Sequence, residues 1–180
     1  MLAMNDLSTL VGKPLDWNLR GFIKPDWRLY YEGRLVASLV QKKILSYDRE
    51  ATYDCIPVDI KYDKKFDILT LRNSSNGDII GTVENVRTSV RVGNAMERMW
   101  TVKHRGSIYT ILSQRKPSPE GSIFRDREGK ALARTVFDSS APQTSQFTLL
   151  SSEDLAISPW LMAMVSHYHA MAIVAGSGSM

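Results

Sequence analysis

Leu29-Tyr30-Tyr31-Glu32-Gly33-Arg34-Leu35-Val36-Ala37-Ser38-Leu39-Val40 holds the pattern that decides the fold. Aromatic and branched residues stand on both sides of a short turn, Glu32-Gly33-Arg34. Glycine takes a positive φ there at little cost, so the stretch reads as a β-hairpin. Its first strand begins upstream, at Trp27-Arg28. The same unit recurs along the chain. Phe66 to Leu71 meets a turn at Asn73-Ser74-Ser75-Asn76-Gly77-Asp78 and leaves as Ile79-Ile80-Gly81-Thr82-Val83. Trp100-Thr101-Val102-Lys103 turns at His104-Arg105-Gly106 into Ile108 to Leu112. Ser122-Ile123-Phe124-Arg125 turns at Asp126 to Lys130, through Gly129, into Ala131 to Phe137. The uneven spacing of these glycines makes a meander with quasi-repeats, not a solenoid.

Weaker strand signals fill the gaps at Asn18–Ile23, Thr52–Cys55, Val58–Tyr62, Val86–Val92 and Gln143–Leu149. About a dozen short strands in one chain predict a barrel or a sandwich. Lys116 to Gly121 and Asp138 to Thr144 are rich in Pro and Ser and read as loops, because the strand pattern resumes at once. The expected organisation is an N-terminal segment over 1–17, one β domain over 18–176 that includes a helix at 158–175, and a tail at 177–180.

The helix stands apart. No charged side chain follows Asp154, counting His as neutral. Ser158-Pro159 is a good helix start, with Ser158 as N-cap and Pro159 in the first turn. Gly176 is a plausible stop. Trp160, Leu161, Met164, Val165, Tyr168 and Met171 are the expected core residues of this segment. A helix without a polar face belongs in a core or in a membrane. Its continuous apolar part is about 16 residues, or about 24 Å, short of the ~30 Å of a bilayer core. Ser166-His167-Tyr168-His169 interrupts it, and no Lys or Arg follows to anchor the far side. The core placement is favoured over a tail anchor or peripheral insertion, and a transmembrane span is not expected. His167 and His169 lie roughly 200° apart around a helix, so both cannot face one metal ion.

At 180 residues the chain is large enough for a substantial core, and its 43% hydrophobic and 23% charged residues are ordinary globular values. Cys55 is the single cysteine, so no intrachain disulfide forms, which fits a reducing compartment. Met1 to Pro14 lacks a basic start followed by an apolar run, so no signal peptide is expected, and Asn73-Ser74-Ser75 is a chance sequon. The expected location is cytoplasmic or peripheral to a membrane. The phosphate-binding, dinucleotide, zinc-protease and nucleophile-elbow motifs are absent. Cys55 with His104 is a conceivable nucleophile and base, but a small strand residue is the plainer reading of Cys55. Asp63 with Asp67, and Asp126 with Glu128, flank turns and read as turn residues. No catalytic residue, metal or cofactor is expected.

An almost wholly apolar helix after a twelve-strand meander is an unusual order. It resembles the tubby-like superfamily, which includes the LURP-one-related proteins and the phospholipid scramblases. Leu29 to Lys43 looks like that family's strand, glycine turn and strand with a basic pair, and Ile123 to Ala133 like a later copy. Ser158 to Val165 looks like the start of its final helix. The likeness covers about Asn18 to Val174. It implies a closed antiparallel barrel of twelve strands threaded by the C-terminal helix. It also implies a binding domain in place of an enzyme, since the tubby proteins bind phosphoinositides through surface Lys and Arg. The chain departs from the scramblases: it lacks a convincing acidic calcium cluster, a cysteine-rich segment and a Pro-rich extension.

The formal net charge is +4, which favours acidic partners. The candidate binding residues are therefore basic: Lys42, Lys43, Lys64, Lys65, Arg87, Arg91, Lys103, Arg105, Arg115 and Lys116. Converging on one face, they would hold anionic phospholipid headgroups at about 1 kcal/mol each. The alternative is a protein-interaction scaffold with no lipid role. It gains if the exposed apolar surface lies far from the basic residues. No RNP-like strand or recognition helix points to nucleic acid.

Overall fold

Glu32 and Gly33 both sit at positive φ, at 47° and 76°. A two-residue loop of this geometry matches the right-handed twist of the strands it joins. Arg34 already pairs with Tyr31, so it opens the second strand and is not part of the turn. This hairpin is one corner of a larger ring. The computed structural model describes residues 7–21, 25–42, 48–53, 56–63, 65, 68–84, 89–92, 95–104, 106–114, 121–137, 144–152 and 157–177, with backbone alone at 53, 89–92, 95–98, 114, 168 and 170–177.

A 3-10 turn at Leu7–Leu10 leads into β1 (Pro14–Arg20), β2 (Asp26–Tyr31), β3 (Arg34–Gln41), β4 (Arg49–Tyr53) and β5 (Ile56–Asp63). Next come β6 (Ile68–Asn73), β7 (Ile79–Glu84), β8 (Ser89–Val92), β9 (Ala95–His104) and β10 (Ser107–Gln114). The chain ends with β11 (Gly121–Arg125), β12 (Ala131–Phe137), β13 (Thr144–Leu149) and α1 (Pro159–Ser177). β1 begins at Pro14, earlier than the expected Asn18, inside the stretch read as an N-terminal segment. The earlier start lets Leu15 and Trp17 enter the core on alternate positions.

Each strand pairs antiparallel with the next, except that β7 pairs with β9. β9 pairs in turn with β10, and β13 returns to β1 with Leu15 opposite Phe147. Twelve strands thus close into a barrel, which removes exposed sheet edges. β8 stays outside the ring, paired with the first four residues of β9. Register shifts at Leu29/Tyr30, Leu71/Arg72 and Phe124/Arg125 bend strands near the ends where they meet their turns.

Side chains alternate along the strands. Trp27, Leu29, Ala37, Leu39, Val58, Ile60, Leu69, Leu71, Tyr109 and Ile111 are buried. Between them stand half-exposed or exposed residues such as Arg28, Ser38, Asp59 and Lys61. Apolar inside and polar outside is the reverse of a barrel that faces lipid with its strands.

α1 packs against β10, β11, β12 and β13 and touches the 3-10 turn. Of its described side chains, Trp160 to His167 and His169 are all buried. Trp160, Leu161, Met164 and Val165 are among these buried residues, whereas the Tyr168 and Met171 side chains fall outside the described set. Ser158 does not cap as a side chain. Its carbonyl accepts the Met162 N–H at 3.1 Å, and no described residue hydrogen-bonds its Oγ. Among the described residues, no helix is long and apolar enough to cross a membrane.

Candidate functional site

Antiparallel pairing sorts the connections between the two ends of the barrel. The turns β2–β3, β4–β5, β6–β7, β9–β10 and β11–β12 share one end, which also receives the chain before β1 and after β13. Gly33, Gly77, Gly106 and Gly129 sit there at positive φ. At 2 to 5 residues, such turns need a residue that tolerates that conformation.

This tight-turn rim carries the exposed apolar surface. The large hydrophobic side chains left exposed among the described residues are Val11, Leu35, Ile56, Ile79, Ile108 and Leu150. Val11 precedes β1, Leu150 follows β13, and the other four lie in the first two residues of β3, β5, β7 and β10. Those four strands are two steps apart around the ring, so their aliphatic groups stand about 10 Å apart. Sequence reading missed this rim, because each residue looks like the start of an ordinary buried strand. The one available signal was position: each follows directly on a turn.

Among the described residues, charges on the rim nearly cancel. Lys13, Arg34, Arg72, Arg127 and Lys130 stand beside Glu32, Asp78, Asp126 and Glu128. The Lys13 ammonium lies 5.6 Å from the centre of the Tyr31 ring, and the Tyr31 hydroxyl holds Lys13 above its usual pKa. Asp126 caps its own turn, accepting from the Glu128 and Lys130 N–H groups at 3.0 and 2.8 Å.

Of the basic residues expected to converge, Lys42, Lys65 and Lys103 have described side chains. Lys42, just past the end of β3, bonds Asp59 and lies 3.5 Å from Glu50. The hydrogen bond to Asp59 raises Lys42 above its ordinary value and holds Asp59 below the carboxylate range. Asp59 therefore adds stability above its unfolded pKa, and loses it as pH falls toward its lower folded value. Lys103 stands opposite Ile108 at the tight-turn end, where its ammonium is paired with Glu84 at 2.9 Å. Lys65 is exposed beyond β5. Arg91 is on β8, described by backbone alone. Lys43, Lys64, Arg87, Arg105, Arg115 and Lys116 lie outside the described residues, as does Cys55.

The interior holds a second polar feature. Ser113, Ser122 and Thr135 are buried and stand in direct register across β10, β11 and β12. These small side chains let α1 approach that wall closely. Beside them Ser145 Oγ lies 3.1 Å from His167 Nδ1. His167 stacks on Trp17 at 4.6 Å and meets the edge of Trp27 at 4.3 Å. Burial lowers its pKa to about 3, so the ring is neutral at ordinary pH. His169 faces Trp100 at 4.9 Å, so the two histidines address opposite walls. A serine beside an imidazole suggests a nucleophile and base. Here both are sealed from solvent, and no carboxylate among the described residues orients the ring, so a substrate has no approach. The described residues contain no group of three His, Cys, Asp or Glu placed to hold a metal.

The family models, curated proteins and solved structures searched give no match to this chain.

Proposed function

We propose that this domain is a non-enzymatic binding module that docks at a membrane surface through its tight-turn rim. The observation that carries this reading is the gathering of Val11, Leu35, Ile56, Ile79, Ile108 and Leu150 at one end of the barrel. The rim of a closed barrel is a ring, and side chains spaced around it can enter a flat apolar medium together. A protein hot spot is a cluster of Trp, Tyr or Arg in a packed pocket. Among the described residues, the tyrosine and arginines of the rim are not gathered in a packed pocket, and all four tryptophans are buried. Isolated aliphatic groups between charged residues suit the headgroup boundary of a bilayer better.

Near-balanced rim charge changes the expected balance of forces. Apolar insertion is the main term, and Lys13, Arg34 and Arg72 add a modest attraction to anionic headgroups. The twelve-strand ring with one C-terminal helix is also the architecture that the tubby-like resemblance implies, and membership of that superfamily belongs to this proposal.

Vesicle co-sedimentation tests it. The wild type is expected to pellet with phosphatidylserine vesicles, with less than a tenfold change in affinity between low and physiological salt. The double variant Ile79→Ser, Ile108→Ser is expected to stay in the supernatant. Failure of the wild type to bind neutral or anionic vesicles overturns the proposal and leaves a protein-interaction scaffold.

A further inference from the structure

The chain has three histidines, and all three are inside the barrel: His104, His167 and His169 are buried. Imidazole is the side chain that takes up a proton as pH falls from neutral toward 5. None of the buried side chains among the described residues is Lys, Arg, Asp or Glu. Among the described residues, no buried charged side chain stands ready to meet a proton on His167.

His167 is the most tightly held. Trp17 from β1 covers its face, Trp27 from β2 meets it edge-on, and Ser145 from β13 reaches Nδ1. No described residue hydrogen-bonds its Nε2. The charged residues of the same strands, Asp16, Arg20, Asp26 and Arg28, alternate with the buried ones and belong to the outer face; β13 has none. On the far walls, Arg125 and Arg134 are likewise on the outer face. On the helix itself, Ser166 and His169 are the nearest described polar side chains. A charged His167 would have two indoles and one hydroxyl as company. The Trp17 face attracts a cation, but the loss of water outweighs that attraction and lowers the pKa.

We propose that His167 is an acid-released latch that holds α1 against the β1, β2 and β13 wall. Neutral, it fills the slot between Trp17 and Trp27. Protonated, it leaves the slot, and α1 withdraws from that wall. The opened form binds a proton that the closed form refuses. Opening is therefore insensitive to pH above about 6.5, the ordinary imidazole value. Below it, each pH unit favours opening by up to about tenfold, giving about 100-fold by pH 4.5. The proposal stands independently of membrane docking.

The test is an acid titration from pH 7.5 to 4, read by tryptophan fluorescence and near-UV circular dichroism. Trp17 and Trp27 report directly, because His167 touches both. The wild type is expected to change cooperatively below pH 6. His167→Phe keeps a ring in the slot without a proton site, and its midpoint is expected to fall by at least one pH unit. Equal midpoints, or a wild type unchanged down to pH 4, overturn the latch. Imidazole NMR of the wild type decides the matter if that variant does not fold. His167 is expected to stay neutral until the tryptophan signals change, and to gain its proton with them. Titration near pH 6.5 with native tryptophan signals overturns the proposal.

Discussion

Ile60 and Ile79 are the same side chain on strands two steps apart in one ring. Ile60 is fully buried, and Ile79 is 57% exposed. The difference is one of height along the barrel. Ile60 lies in the middle of a strand, in the layer that faces the interior. Ile79 opens its strand at the turn, above the layer where the walls pack together. Two apolar inventories result. The inner one closes the fold, and the rim is left for contact with something else. If that division is correct, the same kind of substitution has opposite consequences in the two places.

The largest effect belongs to the inner wall. Phe124 is fully buried on β11, a strand against which α1 packs, with the Tyr109 ring 5.6 Å away. Phe124→Ala removes a ring where the walls and helix collapse only partly, so it is expected to cost about 3–5 kcal/mol. Urea unfolding should show a lower midpoint with an unchanged slope. A loss under 1 kcal/mol would mean that the helix and this wall are not tightly packed, and the distinction between core and rim would weaken.

A smaller effect is expected where the wall needs a missing side chain. Gly121 starts β11 opposite Val136, and a Cβ there would meet the Thr135 carbonyl oxygen and backbone. Backbone cannot swing aside as the tip of a long side chain can. Gly121→Ala should therefore cost about 1–3 kcal/mol through overpacking, even though alanine is only one methyl larger. Thermal unfolding measures this directly, and an unchanged midpoint would show that the strand relaxes freely.

Much of this barrel was legible in the sequence, for reasons of local chemistry. Gly33, Gly77, Gly106 and Gly129 punctuate the hairpins because tight turns need positive φ, and apolar alternation places the strands around them. Pro159 fixed the helix start, and the uncharged run after Asp154 announced a segment with no polar face. The roughly 200° between His167 and His169 argued only against one shared ion; that they meet Trp17 and Trp100 on different walls came from the fold. What stayed hidden depends on distant partners. Pro14 and Asp16 do not read as strand residues, so the start of β1 was set late; β13 and β2 hold them in the sheet. Lys42 looks like a free cation until β5 brings Asp59 beside it. A period of two assigns Leu35, Ile56 and Ile79 to strands, but cannot say how far up the barrel the packing reaches. The rim is a property of closure, and closure is not written in any one strand.

The smallest effect on stability is the one that bears most on function. Ile79→Ser and Ile108→Ser replace side chains that are 57% and 45% exposed. Much of their apolar surface already meets water, so the pair should change unfolding free energy by less than about 1 kcal/mol. Serine also introduces no buried polar group, because the site is open to solvent. Far-UV circular dichroism and the urea midpoint should therefore match the wild type while vesicle binding is lost. That pairing of results is informative because the inner wall cannot produce it. A core variant that failed to bind would do so by unfolding, and its midpoint would reveal it. If the double variant instead unfolds as easily as Phe124→Ala, then Ile79 and Ile108 are structural. The rim would then be an extension of the core, and the membrane-docking proposal would lose the observation on which it rests.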